Sequence, residues 1–424
     1  MNFFKICILL IFFSSTASAQ WTLKDTTELV SRDGLPNFMH KIRSGQPVSV
    51  GFFGGSITQA EGWRPKITEW MRSHYRPKEV RAWNAAIGGT NSTFGVFRLQ
   101  RHLLEKDDLD LIFVEFAVND SPGNSPDIVK SMEGIVRKIW TQNPKTDIFF
   151  VYTLKKDFLQ DIEQAKMSLS MSKHDSIASH YGIPSLYWGV EVDKKLRSGE
   201  MIFQDQISDV STSKNAAGKY VFAEDGVHPS DYGHQIYADV LARSLIRMES
   251  PSDPEPHSLK PALFSPYEAA AMLPAEASQG QQLEVADSPE KYPFLENFLE
   301  DGDTYLLSEH PEASYRFQFE GSKVGMKIIM GPGCGPFTVT IDGKPYEKSG
   351  FDGYCSYYRI NNFFVDCEPG LHEVVIRPAA PLSLQEKEDM LNKPERQEDI
   401  RNKPAKYDHN YLIFSDVLIL GEMK

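Results

Sequence analysis

A serine, an aspartate and a histidine sit in this 424-residue chain in settings that suit acyl transfer. Ser56 directly follows Gly54 and Gly55, where the β-branched and aromatic run Val48 to Phe53 stops. A serine hydroxyl attacks an ester only if a base takes its proton during the attack, and His228 is the candidate base. Asp225, three residues before it, is the candidate partner for the imidazole Nδ1, fixing the tautomer and stabilising the imidazolium that forms. The D-x-x-H spacing lets one loop deliver both groups. The same residues also read as an Asp-Gly turn and a helix start capped by Ser230, and the chain order Ser, Asp, His is shared by several hydrolases.

Presenting these groups requires strands that end at one edge of a sheet. Strands are expected at Val48 to Phe53, Val80 to Asn84, Leu109 to Phe116, Asp147 to Tyr152 and Ile183 to Tyr187. Helical periodicity lies between them, at Pro65 to His74, Thr93 to Leu104, Asp127 to Gln142 and Ile162 to Tyr181, with a last helix at Ser230 to Met248. This alternation implies a parallel sheet covered on both faces, with ligands at the carboxyl ends of its strands. Gly54 and Gly55 would let the backbone turn without a Cβ penalty. Gly189 to Glu224 has little period and reads as a long lid or substrate-wall loop.

Three further segments fit the first: NAAIGGTNS (84–92), LDLIFVEFAVNDS (109–121) and EDGVHPSDYGH (224–234). With VSVGFFGGSITQ (48–59), they make residues 45–248 resemble the SGNH/GDSL hydrolase family, whose blocks carry Ser, Gly, Asn and His in that order. The resemblance implies a three-layer α/β/α domain. It also implies an oxyanion hole made of the backbone N–H groups of Ser56 and Gly89 and the side-chain amide of Asn119, with Gly88 as the neighbouring alternative to Gly89. The chain departs from the family pattern at Gly55, where aspartate is usual, and at Ala86 and Ala117, where glycine is common. These changes bear on subfamily and pocket shape more than on the reaction.

Residues 1–19 have a basic start at Lys5, an apolar run Ile6 to Phe13 and a small-residue cleavage site at Ala17-Ser18-Ala19, which reads as a signal peptide for export to the periplasm or beyond. No later stretch approaches the length of a membrane span. A net charge of −13 argues against nucleic acid or an anionic membrane as partner, since both select clustered Lys and Arg. Cys334, Cys355 and Cys367 follow the signal segment without metal-site spacing, so an export compartment leaves open one disulfide or three thiols. The expected domains are the hydrolase over 20–249, a Pro-rich linker or crossover over 250–290, and an antiparallel β-sandwich over 291–424.

Trp63 and Trp188 are candidates for stacking on sugar rings, against the commoner role of core packing, whereas His234 and Tyr237 read as structural. Tyr354, Tyr357, Tyr358, Phe363 and Phe364 are a candidate sugar platform, against a sandwich that only packs on the hydrolase domain. The resemblance, export and appended domain together imply a serine esterase that removes acetyl or another short acyl group from a carbohydrate and requires no metal or organic cofactor. A lipase or thioesterase, a sugar O-acyltransferase and an inactive carbohydrate-binding protein are the alternatives, because the fold alone does not select among them.

Overall fold

The computed structural model describes residues 28–249, 253–299 and 304–424, so the expected signal segment lies outside the described residues. The first domain runs β1 (Leu29–Val30), α1 (Pro36–Arg43), β2 (Val48–Gly54), α2 (Ser56–Gln59), α3 (Trp63–Tyr75), β3 (Val80–Asn84), α4 (Ser92–Leu99), β4 (Leu111–Glu115), α5 (Asp127–Gln142) and β5 (Asp147–Tyr152). It continues with α6 (Leu159–Glu163), α7 (Leu169–Tyr181), β6 (Ser185–Tyr187), α8 (Gly189–Arg197), β7 (Met201–Ile202), β8 (Tyr220–Val221) and α9 (Asp231–Arg247). The main sheet has the order β1-β6-β5-β4-β2-β3, parallel except for β1 at its edge. Helices cover both faces, so β2, β4 and β5 are buried along their whole length and read as continuous apolar runs. β3 and β4 leave β2 on opposite sides, which makes the carboxyl end of β2 the switch point where an open α/β sheet forms its crevice.

Local chemistry explains where the elements differ from expectation. The helix expected over Ile162 to Tyr181 is broken in two: Ala165 adopts φ +56° and Ser168 caps the second piece through the Met171 N–H. The stretch expected to be irregular from Gly189 to Glu224 instead holds α8 and the parallel pair β7 and β8. Only the turn-rich residues between those two strands resemble the expected loop.

The second domain is antiparallel, with one curled sheet of nine strands among the described residues. Its strands are β9 (Ala270–Pro274), β10 (Gly280–Gln281), β11 (Glu284–Ala286), β12 (Tyr305–Ser308), β13 (Ser314–Met330), β14 (Pro336–Ile341), β15 (Lys344–Ser349), β16 (Arg359–Pro378) and β17 (Leu412–Met423), with helices α10 (Leu384–Met390) and α11 (Pro394–Asn402) before the last. ASYRFQFEG and KVGMKIIMG form the single strand β13, which passes through a bulge between Gly321 and Lys323. Gly321 serves close strand approach there, since a Cβ would lie 2.3 Å from the Leu420 carbonyl oxygen. The boundary expected at residue 291 moves towards the N-terminus, because β9 to β11 already belong to this sheet. Their two- to five-residue lengths carry too little alternation to be read as strands. Cys334, Cys355 and Cys367 are all free thiols.

The two domains share a core. Ala270, Met272 and Leu418 are buried with the side chains of the first domain, and Phe97 packs on Phe364 with ring centroids 4.7 Å apart. Around this contact lie buried charges: Lys323 bonds Asp127 at 2.9 Å and also pairs with Asp366, while Arg101 pairs with the fully buried Asp416. Lys138 donates to the carbonyls of Val96 and Ala270, and burial lowers its ammonium to about 8.

Candidate active site

Ser56 is the first residue of α2, separated from the end of β2 by Gly55 alone. The two glycines before it adopt ordinary backbone angles, so the expectation that they ease a strained turn is corrected to one of space. A Cβ on Gly54 would lie 2.5 Å from the Glu115 carbonyl oxygen, and one on Gly55 would lie 2.0 Å from Oδ1 of Asn119. Beneath the turn the buried Glu115 accepts hydrogen bonds from Thr58 at 2.9 Å, Thr153 at 2.6 Å and the Gly55 N–H. Burial pushes this carboxyl up from its ordinary value, and the three donors oppose the shift. Arg98, fully buried, donates to the carbonyls of Ala85 and Gly54, holding the end of β2 against the chain that leaves β3. Desolvation lowers its guanidinium to about 9.

Ser56 Oγ lies 2.8 Å from His228 Nε2, and His228 Nδ1 lies 2.6 Å from Asp225 Oδ2. The second carboxylate oxygen of Asp225 accepts the backbone N–H groups of Val227 and His228 at 2.9 and 2.8 Å. With Nδ1–H directed at Asp225, Nε2 is left as the acceptor for the serine proton. Burial raises the Asp225 carboxyl, but the hydrogen bonds from His228 and the two backbone donors outweigh it and hold the group below its ordinary value. The turn-and-cap reading of this segment is also realised: Gly226 has φ +80° and Ser230 caps α9 through the Gly233 N–H. One loop therefore carries both the imidazole beside Ser56 and the start of a helix.

Gly89 has φ +73° and open space where a Cβ would be, and its N–H has no hydrogen-bond partner among the described residues. The Gly88 N–H, by contrast, is taken by the Gln59 side chain at 2.8 Å. Gly89 and Asn119 share a cavity of about 700 Å³ with Ser56 and His228. An oxyanion hole needs unengaged N–H groups near the attacking atom, and Gly89 and Asn119 are the candidates for it in the cavity that holds Ser56. Gly55→Ala should force the Asn119 amide away from its seat, lowering kcat on a small ester by roughly 10²–10³ with KM little changed, as loss of one oxyanion donor does. Steady-state kinetics on the purified variant checks this.

The opposite wall of that cavity belongs to the second domain. Asn297, Phe298, Tyr354, Tyr357, Arg359 and Asn361 face Ser56 across it. Tyr354 and Tyr357 are about half exposed, at 52% and 51%, with the Arg359 guanidinium near both rings. Tyr358 also lines the cavity, but its hydroxyl accepts the Gly333 N–H and its ring stacks on Phe294. Phe363 and Phe364 turn inward against Phe337 and Phe97. The expected aromatic platform thus divides, with Tyr354 and Tyr357 open to a ligand and the phenylalanines structural.

Trp63 and Trp188 do not line the site. Both are fully buried, edge to face with each other, and Trp188 stacks on Tyr237 at 4.3 Å while donating to its carbonyl. The first position of α3 and the residue before α8 turn these large rings onto the sheet, so the expectation of sugar stacking is corrected. His234 accepts the Trp63 N–H and is likewise structural. Gln204 and Ile207 wall a neighbouring cleft of about 630 Å³ beside Asp225 and His228, and Lys393 of the second domain completes it. A larger cleft of about 880 Å³, between α6, α8 and α9, has no serine, cysteine or histidine among its lining residues and cannot host this chemistry. Gln59, Asn297, Phe298, Arg359 and Asn361 escaped the sequence reading, since no short motif joins residues so far apart in the chain.

Residues 52–236 match the GDSL-like Lipase/Acylhydrolase family. Two solved structures resemble the chain over both domains. One, a two-domain esterase active on acetylated mannans co-crystallised with mannopentaose, has a TM-score of 0.67 at 19% identity and covers 91% of this chain and 93% of its own. The other, a two-domain esterase active on acetylated mannans, has a TM-score of 0.68 at 18% identity, with coverage of 92% and 96%. No curated protein matches the sequence. Among the described residues no helix is long and apolar enough to cross a membrane.

Proposed function

We propose, from the match of residues 52–236 to the GDSL-like Lipase/Acylhydrolase family, that the protein is an exported serine esterase that removes acetyl or another short acyl group from a carbohydrate. The observation that carries this reading is the hydrogen-bonded run from Ser56 Oγ through His228 to Asp225, opening into a cleft walled by the second domain.

In this reading Ser56 Oγ attacks the ester carbonyl while His228 Nε2 takes its proton. The carbonyl oxygen gains negative charge opposite the N–H groups of Ser56 and Gly89 and the Asn119 amide. Collapse of the intermediate breaks the bond to the sugar oxygen, which receives the proton from His228, and the acyl group stays on Ser56. Water, deprotonated by the same histidine, then attacks the acyl carbon and releases the acid and the free serine. Asp225 remains a carboxylate throughout.

The carbohydrate class is supported by the composition of the cleft. Half-exposed Tyr354 and Tyr357 give apolar faces for sugar rings, and Gln59, Asn297, Arg359 and Asn361 give donors and acceptors for hydroxyls. A lipase would also need room for a long acyl chain, and since Ile87, Val118, Val227, Phe298 and Ile360 line the cleft as well, ester chain length separates the two readings. The fold shared with two-domain esterases that act on acetylated mannans is consistent with an acetylated polysaccharide as substrate, and residues 1–19 with its encounter outside the cytoplasm.

Acetate release from acetylated mannan and xylan, beside hydrolysis of acetate and long-chain chromogenic esters, tests the proposal. Release from a glycan with negligible long-chain turnover is the expected result, and efficient long-chain hydrolysis without glycan deacetylation would sink it. Tyr354→Ala with Tyr357→Ala should lower kcat/KM on the polymer by roughly tenfold, about 1.4 kcal/mol of lost ring contact, and leave the small chromogenic acetate unaffected. Equal losses on both substrates would show that the tyrosines do not touch sugar.

A further inference from the structure

Behind the oxyanion side of the cleft, α7 grips the turn that follows β4 at two points on either side of Asn119. Ser170 Oγ donates to the Ala117 carbonyl at 2.7 Å, and His174 Nε2 lies 2.6 Å from Asp120 Oδ2. Ser170 and His174 are four residues apart on one helix, so they share a face. All of these groups are buried, with Ser170 and Ala117 at 0% exposure, His174 at 1% and Asp120 at 7%. The other oxygen of Asp120 accepts the backbone N–H of Ser92, the first residue of α4, at 3.0 Å. Ser92 closes the loop that carries Gly89. A carboxylate at a helix N-terminus is also well placed for the helix dipole and for an N–H left without a helical partner.

We propose that His174 and Ser170 are positioning residues for the oxyanion hole: through Asp120 and Ala117 they fix the Asn119 amide and the Gly89 N–H at one separation. Neither side chain lines the cleft, so neither touches the reacting atoms. The reason such a brace matters is geometric. An oxyanion donor stabilises the transition state only if it is held at hydrogen-bond distance before charge develops, and turns at strand ends drift unless tied down. Asp120 alone fixes one loop against the other. His174 fixes Asp120 itself, and Ser170 fixes the opposite end of the Asn119 turn.

The proposal rests on the esterase reading, and its test separates the two. On a chromogenic acetate ester, His174→Ala should lower kcat by roughly 10–100-fold with KM within about twofold. His174→Gln keeps an N–H donor towards Asp120 and should recover most of that loss, while Ser170→Ala, which removes one hydroxyl, should lower kcat by several-fold with the fold intact. In an Asn119→Ala background the effect of His174→Ala should largely disappear, because the donor it positions is gone. Undiminished loss in that background, loss through KM alone, or kcat within twofold of wild type in Ser170→Ala while His174→Ala fails to fold would overturn the brace. Absence of turnover by the wild type would instead overturn the esterase reading and the brace with it.

Discussion

Ser56→Ala is expected to lower turnover of a chromogenic acetate ester by about a million-fold, and release of acetate from any glycan by the same factor. The size follows from the cooperation of the three groups. With the hydroxyl gone, His228 has no proton to take and Asp225 no imidazolium to stabilise, so all three contributions vanish together instead of one third of them. A residual rate above that in water should remain, because the oxyanion donors and the cleft still bind the ester. The fold should not suffer, since among the described residues Oγ bonds only His228, and it sits at the cleft surface. Parallel kinetics and thermal unfolding of the two proteins check both halves of the expectation. A variant that keeps more than a thousandth of wild-type turnover would assign the nucleophile elsewhere.

Asp225→Asn should cost roughly 10³–10⁴ in kcat, a large effect for the loss of one charge on a half-exposed residue. One carboxylate oxygen is committed to two backbone N–H groups, those of Val227 and His228. In the asparagine protein the amide oxygen must stay there, because an NH₂ group facing two N–H donors would leave all of them unpaired. The NH₂ is then forced onto Nδ1 of His228, and a donor at that position requires the tautomer with hydrogen on Nε2. That tautomer cannot accept the Ser56 proton. Asp225→Ala imposes no such tautomer and should retain more activity than Asp225→Asn, an ordering that steady-state kinetics reads directly. Since its partners hold the Asp225 carboxyl below its ordinary value, it stays ionised as pH falls towards the carboxylate range, and Asp225 should not set the acid limb of the wild-type profile.

The parts of this architecture that are legible in the sequence are those fixed by local chemistry. Asp147–Tyr152 is read to the residue because a buried parallel strand is short, apolar and bounded by polar turns, whereas Val80–Asn84, an edge strand with Arg81, Ala82 and Asn84 exposed, matches its expected bounds without that signal. The segments holding Ser56, Asn119 and His228 are legible because each chemistry needs its residue at the end of a strand or the opening of a helix. Gly55 is read for the wrong reason: its neighbour in space is Asn119, and nothing in the glycine itself announces that contact. Trp63 and Trp188 mislead in the same way, since a ring that packs on a sheet and one that stacks on a sugar have the same composition around them. Strands β9 to β11 are hidden because their partners, β12, β13 and β17, lie further along the chain. The far wall of the cleft is the hardest part to read, because it depends on how two domains meet, and that depends on buried charges such as Lys323 and Asp416 with no local pattern.

The division of the cleft between two folds has an evolutionary consequence. Every group proposed to make or break a bond lies between Ser56 and His228, while Tyr354, Tyr357, Arg359 and Asn361 lie on a connection and strand start that hold none of the chemistry. Insertions or substitutions in that connection can therefore remodel what reaches the serine without altering its reactivity. A lineage built this way can change what enters the cleft by editing one loop of the second domain, while the domain that holds Ser56 and His228 stays constant.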